Sequence, residues 1–119
     1  MYKEHLRRII VNAKTIEKQD INYGITGYFD AQTVSALEED FQTLVEDNKG
    51  RLILDLSGVD FIDSSGIGSI VFLYKRLKAQ ERDLVLSGVN GQPARLIQSL
   101  RVDKTIKTNF LKESNNNDS

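Results

Sequence analysis

A chain of 119 residues, 39% of them hydrophobic, can bury one core and is too short for two ordinary domains. Its 16 basic and 17 acidic residues leave a net charge of -1, so no global basic field exists to attract nucleic acid or an anionic membrane, and partners must be recognised by local shape. The lack of cysteine excludes disulfides, thiol nucleophiles and cysteine-based zinc sites, and with His5 as the single histidine neither a metal site nor a cofactor is expected.

The charged start, Met1 to Arg8, is followed by the apolar run Ile9-Ile10-Val11, which is far shorter than a signal-peptide core or a membrane span. The chain therefore reads as cytoplasmic, without direct membrane insertion. Leu6 to Val11 favours a strand, and Thr15 to Gly27 alternates loosely between apolar and polar residues, giving a second. Asp30 precedes a long stretch free of proline and glycine, which makes it the N-cap of a helix over 31–48. Val34, Leu37, Phe41, Leu44 and Val45 fall on one buried stripe of that helix. Glu38, Glu39, Asp40, Glu46 and Asp47 give it an acidic face, either a solvated surface or a docking patch for a basic partner. Gly50 reads as the glycine that ends the helix. Leu52-Ile53-Leu54-Asp55-Leu56 is an apolar run of strand length, covered on both faces, with Asp55 tied to a backbone group near the strand end.

The stretch Asp60-Phe61-Ile62-Asp63-Ser64-Ser65-Gly66-Ile67-Gly68 then turns from strand to helix. Ser64 sits at or next to the cap, where a hydroxyl can accept from a backbone N–H of the first turn, while the glycines permit close approach of another backbone or of a phosphate. A helix runs from Ser65 to about Gln80, with Ile67, Ile70, Val71, Tyr74 and Leu77 facing inward and Leu73 at the edge. Lys75, Arg76 and Lys78 suit the negative end of its dipole. Phe72 points outward on the side of Gly68, Ser69 and Arg76, as an isolated surface aromatic or as a partner anchor.

Arg82 to Val89 reads as a strand and Asn90-Gly91-Gln92-Pro93 as a turn, with the only proline near the first position of a third helix striped by Leu96, Ile97 and Leu100. Val102 to Ile106 reads as a short edge segment. Residues 1–110 form the domain and 111–119 a disordered polar tail. Alternation of strands and helices implies parallel strands with right-handed crossovers. Together with the N-terminal strands this predicts a single α/β domain: a mixed β-sheet with parallel core strands and helices packed mainly on one side.

Asp63-Ser64-Ser65-Gly66-Ile67-Gly68, preceded by Leu54-Asp55-Leu56-Ser57-Gly58-Val59 and followed by a helix and the strand Leu84-Val85-Leu86, resembles the STAS domain of bacterial anti-sigma-factor antagonists. The likeness covers roughly Tyr23 to Ile106. It implies that the serine directly after the aspartate, Ser64, is phosphorylated, with Ser65 as second choice. It implies as partners an anti-sigma factor that is also a GHKL-type serine kinase, bound by the unphosphorylated form so that the sigma factor is freed, and a PP2C-type phosphatase that reverses the modification. The partner-facing set is Asp30, Ile62, Asp63, Ser65, Gly66, Gly68, Ser69, Phe72 and Asn90. Similar modules regulate secretion or biofilm pathways, or serve as subunits of lipid ABC transporters. Two features depart from the family: Phe72, where a small residue is common, and a closing helix that would have to be built from Phe110-Leu111-Lys112-Glu113.

A serine in such a turn can be a nucleophile, but it needs a base within reach. His5 lies outside the family-like region, and Asp60 and Asp63 have no second catalytic group, so no catalytic residue is assigned and the chain is not expected to be an enzyme. Gly66-Ile67-Gly68 begins like a dinucleotide fingerprint, yet Val71 occupies the third glycine position and Lys75 is misplaced for a phosphate-loop lysine. A phosphate on Ser64 would add about 1.5 to 2 negative charges at a helix start, where the dipole favours them, and a partner packed on the turn would have to accept that charge beside Asp63.

Overall fold

A computed structural model describes residues 19–47 and 49–112. The expected strand at Leu6–Val11 and the polar residues 113–119 lie outside the described residues. Within them, strands β1 (Ile21–Phe29), β2 (Leu52–Ile62), β3 (Leu84–Val89) and β4 (Lys107–Phe110) form one sheet in the order β1-β2-β3-β4, every neighbouring pair parallel. Helices α1 (Ala31–Ala36), α2 (Glu38–Glu46), α3 (Ser64–Ala79) and α4 (Gly91–Ser99) supply the crossovers, and a 3-10 turn at Val102–Lys104 leads into β4. Right-handed crossovers between sequential parallel strands all fall on the same face, so the helices cover one side of the sheet. The core lies there: Phe29, Leu52, Leu54, Leu56, Ile62, Ile70, Leu73, Leu77 and Ile97 are fully buried or nearly so. The mixed character expected of the sheet would require the N-terminal strand, outside the described residues.

β2 is twice as long as its apolar run suggested. Leu52, Leu54 and Leu56 are buried at period two, then Val59 and Ile62 at period three. Two irregularities in its pairing with β1, between Gly24 and Thr26 and between Gly27 and Tyr28, each give β2 one residue more than β1. A bulge of this kind shifts the side-chain phase by one, which keeps Val59 and Ile62 turned to the core. Asp55 belongs to the other face, away from α1–α4; it is exposed, and its carboxylate accepts the Ser57 N–H at 2.9 Å, the bond that holds its pKa below the ordinary carboxylate value.

Further expectations need correction. The helix over 31–48 is two: at Leu37 (φ -96°, ψ 1°) the amide is shared between the Thr33 and Val34 carbonyls, a local tightening that separates α1 from α2. Gly50 is not the cap. α2 ends at Asp47, and two of its carbonyls are met from afar: Arg82 donates to Leu44 O at 3.2 Å and Val45 O at 3.0 Å, and beyond the helix to Gly50 O at 2.8 Å. In α3 the innermost residues are Ile67, Ile70, Leu73 and Leu77, with Val71 and Tyr74 half-buried at the margins. Finally, residues 102–106 are not the edge strand. That strand is β4, pairing Val89 with Phe110, and the Leu111 N–H continues to the Val89 carbonyl at 2.8 Å, so no helix begins at Phe110 within the described residues. Leu100, expected on the α4 stripe, is exposed.

Candidate functional site at the strand-to-helix turns

Parallel strands place the starts of their following helices at one end of the sheet, and in open α/β sheets that end is where ligands and partners meet the fold. β1 and β2 finish alike, Tyr28-Phe29-Asp30 and Phe61-Ile62-Asp63. Phe29 and Ile62 are register partners and fully buried, so the two aspartates leave the sheet side by side. Each caps a helix. The Asp30 carboxylate accepts the Thr33 N–H at 3.1 Å, and Asp63 Oδ1 accepts those of Ser65 at 2.9 Å and Gly66 at 3.1 Å.

The cap is therefore Asp63 rather than Ser64, with a direct consequence for the serine. Ser64 is the first residue of α3 and exposed, and its hydroxyl makes no hydrogen bond among the described residues. Ser65 is half-buried. Asp63 Oδ1, the carboxylate oxygen nearest in sequence, is occupied by backbone N–H groups, an arrangement for a cap and not for a general base.

The two glycines of the turn differ. A Cβ on Gly66 would lie 2.4 Å from the Phe29 carbonyl oxygen and 2.6 Å from Ile62 Cγ1; a Cβ on Gly68 would meet nothing within 4 Å. Gly66 lets α3 press onto the ends of β1 and β2. Gly68 has no packing reason to be glycine and sits on the exposed side one turn after Ser64, leaving bare backbone at the surface.

Of the partner-facing set, the structure gathers Asp30, Asp63 and Ser65 around Ser64 at the turn, with Gly68, Ser69 and Phe72 following along α3. Ile62 and Gly66 are both buried, and they pack to set the shape of the turn. Asn90 caps α4 at the same end of the sheet, half-buried, with its amide donating to Gly88 O at 3.0 Å, so its polar group is spent inside the molecule. Ser69 Oγ donates to Gly66 O at 2.9 Å. Phe72 is 62% exposed, with the Arg76 guanidinium 5.6 Å above its ring. Its side chain walls a cleft of about 200 Å³ between α3 and the α1–α2 junction, lined also by Val34, Glu38, Phe41 and Leu73.

Three residues of this end escaped sequence reasoning. Tyr28 and Phe61, 63% and 40% exposed, face each other in register on the side away from α1–α4 with ring centroids 5.8 Å apart. The repeated aromatic-apolar-aspartate ending of both strands was the available signal. Gln92, the third, hydrogen-bonds the backbone of Ile62 from thirty residues away, and nothing local in the sequence announces such a contact.

Among the described residues no three histidine or acidic side chains come together to hold a metal ion, and no helix is long and apolar enough to cross a membrane. With this geometry in hand, comparison with known proteins is direct. The STAS domain family matches residues 11–115, and the chain belongs to that family. An anti-sigma-B factor antagonist of Staphylococcus aureus (strain NCTC 8325 / PS 47) is 30% identical over 74 residues, which is 62% of this chain and 68% of the relative. The structure of a putative anti-sigma factor antagonist from Thermotoga maritima superposes with a TM-score of 0.71 at 19% identity, covering 80% of this chain and 81% of that one. The anti-sigma factor antagonist SpoIIAA, solved in its unphosphorylated form, gives a TM-score of 0.60 at 14% identity over 82% of this chain and 83% of its own. At such identities the two structures establish the fold alone.

Proposed function

We propose that this chain is an anti-sigma-factor antagonist acting in the bacterial cytoplasm by partner switching, with Ser64 as the switch. Unphosphorylated, it binds an anti-sigma factor that is also a GHKL-type serine kinase; phosphorylation of Ser64 ends the binding, and a PP2C-type phosphatase restores it. The observation that carries this reading is the exposed Ser64 hydroxyl, which has no hydrogen-bond partner among the described residues because Asp63 takes the capping role. The names of the curated relatives agree with it. A phosphate at the first residue of α3 meets the positive end of a sixteen-residue helix, so the domain itself tolerates the charge. A partner seated on the turn does not. Losing ~3 kcal/mol of interaction weakens binding more than 100-fold.

The test is incubation with ATP and the serine kinase encoded nearest the gene, followed by mapping of the phosphate by mass spectrometry. Phosphate on Ser64 is expected, with Ser64→Ala still binding the kinase and Ser64→Asp binding it about 100-fold more weakly. Equal affinities of wild type and both variants would overturn the switch.

A further inference from the structure

β2 is held by β3 only from Leu52 to Asp55, whose register partners are Leu84 and Ser87. Beyond that point the strands part: Gly88 takes φ +66°, β3 ends at Val89 and the chain turns into α4. Among the described residues, Ile62 therefore reaches the phosphate-acceptor turn with no strand beside it on that flank. The side chain of Gln92, in the first turn of α4, fills the place. Its Oε1 accepts the Ile62 N–H at 2.8 Å, and its Nε2 donates to the Ile62 carbonyl at 2.9 Å. A primary amide reproduces both halves of a backbone pairing, a donor and an acceptor in one plane, and no other side chain except asparagine does so. Asparagine is one methylene shorter.

We infer that Gln92 is the positioning residue of the Ser64 switch, a side-chain substitute for the missing strand that fixes the direction in which Asp63 and Ser64 leave the sheet. Ile62 is fully buried and directly precedes the cap, and its other flank is tied to β1, where the Asp63 N–H approaches the Phe29 carbonyl at 3.4 Å. That second bond is long, so the pair from Gln92 is the tighter restraint on the residue before the cap. A kinase must bring the Ser64 oxygen into line with a phosphoryl donor, and displacement by an ångström is enough to slow such a transfer. This inference rests on the reading of Ser64 as the modified residue, but the restraint itself can be measured without any partner.

Gln92→Leu keeps the volume of the side chain and removes both polar atoms. In this variant, amide hydrogen exchange at Ile62, followed by NMR, is expected to speed about tenfold, the scale of one lost hydrogen bond, while Leu54 in the middle of β2 keeps its protection. Phosphorylation of Ser64 by the serine kinase is expected to lose about tenfold in kcat/KM. Gln92→Glu, which retains the acceptor for the Ile62 N–H and at neutral pH has no donor for the carbonyl, is expected to fall between the two. Ile97→Val, a core change on the same helix, controls for general loss of stability and should leave both readouts at wild-type values. Unchanged exchange at Ile62 in Gln92→Leu would overturn the restraint. Faster exchange with an unaltered phosphorylation rate would overturn the positioning role. If the wild type is not phosphorylated at all, the reading of Ser64 fails, and the exchange at Ile62 still decides whether Gln92 holds the turn.

Discussion

At the end of the sheet where the strands begin, Arg82 is 7% exposed, and its guanidinium donates to three backbone carbonyls and to the Gln80 side chain. At the end where they finish, the Ser64 hydroxyl is exposed and, among the described residues, donates to nothing. Both ends face the same problem, helix termini with unpaired backbone groups. One is closed by a buried cation set against the carbonyls of α2, where the helix dipole is negative. The other is closed by aspartates used as caps, which satisfy the backbone and leave a hydroxyl and a bare glycine on the surface. The closed end serves stability. The open end leaves a hydroxyl and backbone exposed, the groups that the proposed function assigns to a partner.

Arg82 should accordingly give the largest effect of any single change outside the apolar core. Burial lowers the pKa of its guanidinium, which nonetheless stays cationic. Arg82→Ala removes a buried donor from the Val45 and Gly50 carbonyls, and about 3 kcal/mol of stability should be lost in urea unfolding. Arg82→Lys should recover only part of it, because an ammonium cannot present the guanidinium's fork to three acceptors. A wild-type urea midpoint for Arg82→Ala would remove the contrast between the ends.

Within the open end, the glycines sharpen the comparison. Gly66→Ala forces a methyl against the Phe29 carbonyl and should cost about 2–3 kcal/mol. Gly68→Ala places a methyl in open space on a helix and should stabilise by about 0.5–1 kcal/mol. The same Gly68→Ala protein should bind the anti-sigma partner more weakly, in line with the proposed function. A variant both more stable and equally good at binding would mean that the surface beside Ser64 is not a contact.

Much of this end was legible in the sequence because its signals are local. An apolar run, an aspartate, two serines and a glycine within a few positions specify a strand, a cap and a helix start. What failed to show depends on contacts across the chain. The second half of β2 was hidden because two bulges change the period of its buried residues from two to three. The α1–α2 break is a shared hydrogen bond at Leu37 with no composition signal. Glu81, at φ 59°, takes the left-handed position that usually announces itself as glycine, and so concealed the reversal in which the Arg82 N–H returns to Leu77 O and its side chain to α2. Arg82 and Gln92 find their partners some thirty residues away, and periodicity carries no information at that distance.

The smallest expected effect lies at neither end. Tyr23, the third residue of β1, donates its hydroxyl to the Asp40 carboxylate at 2.6 Å and sets its ring edge-on to Phe41, 6.0 Å between centroids, so that one side chain ties α2 to the sheet. Burial, then the hydrogen bond to Asp40 and its charge, push the phenol up to about 12 from 10. The folded protein thus keeps a proton that the unfolded chain has lost between pH 10 and 12. Stability from this contact is fully present below pH 10 and falls as pH rises through that window. Tyr23→Phe keeps the ring and loses the titration. At pH 7 it should be less stable by no more than about 1 kcal/mol. Every other ionisable group is shared by the two proteins, so the difference between them isolates the phenol. That difference should shrink steadily from pH 10 to 12 in paired urea unfolding curves. A constant difference would show that the phenol loses its proton alike in the folded and unfolded chain, so that neither burial nor the Asp40 carboxylate holds it there.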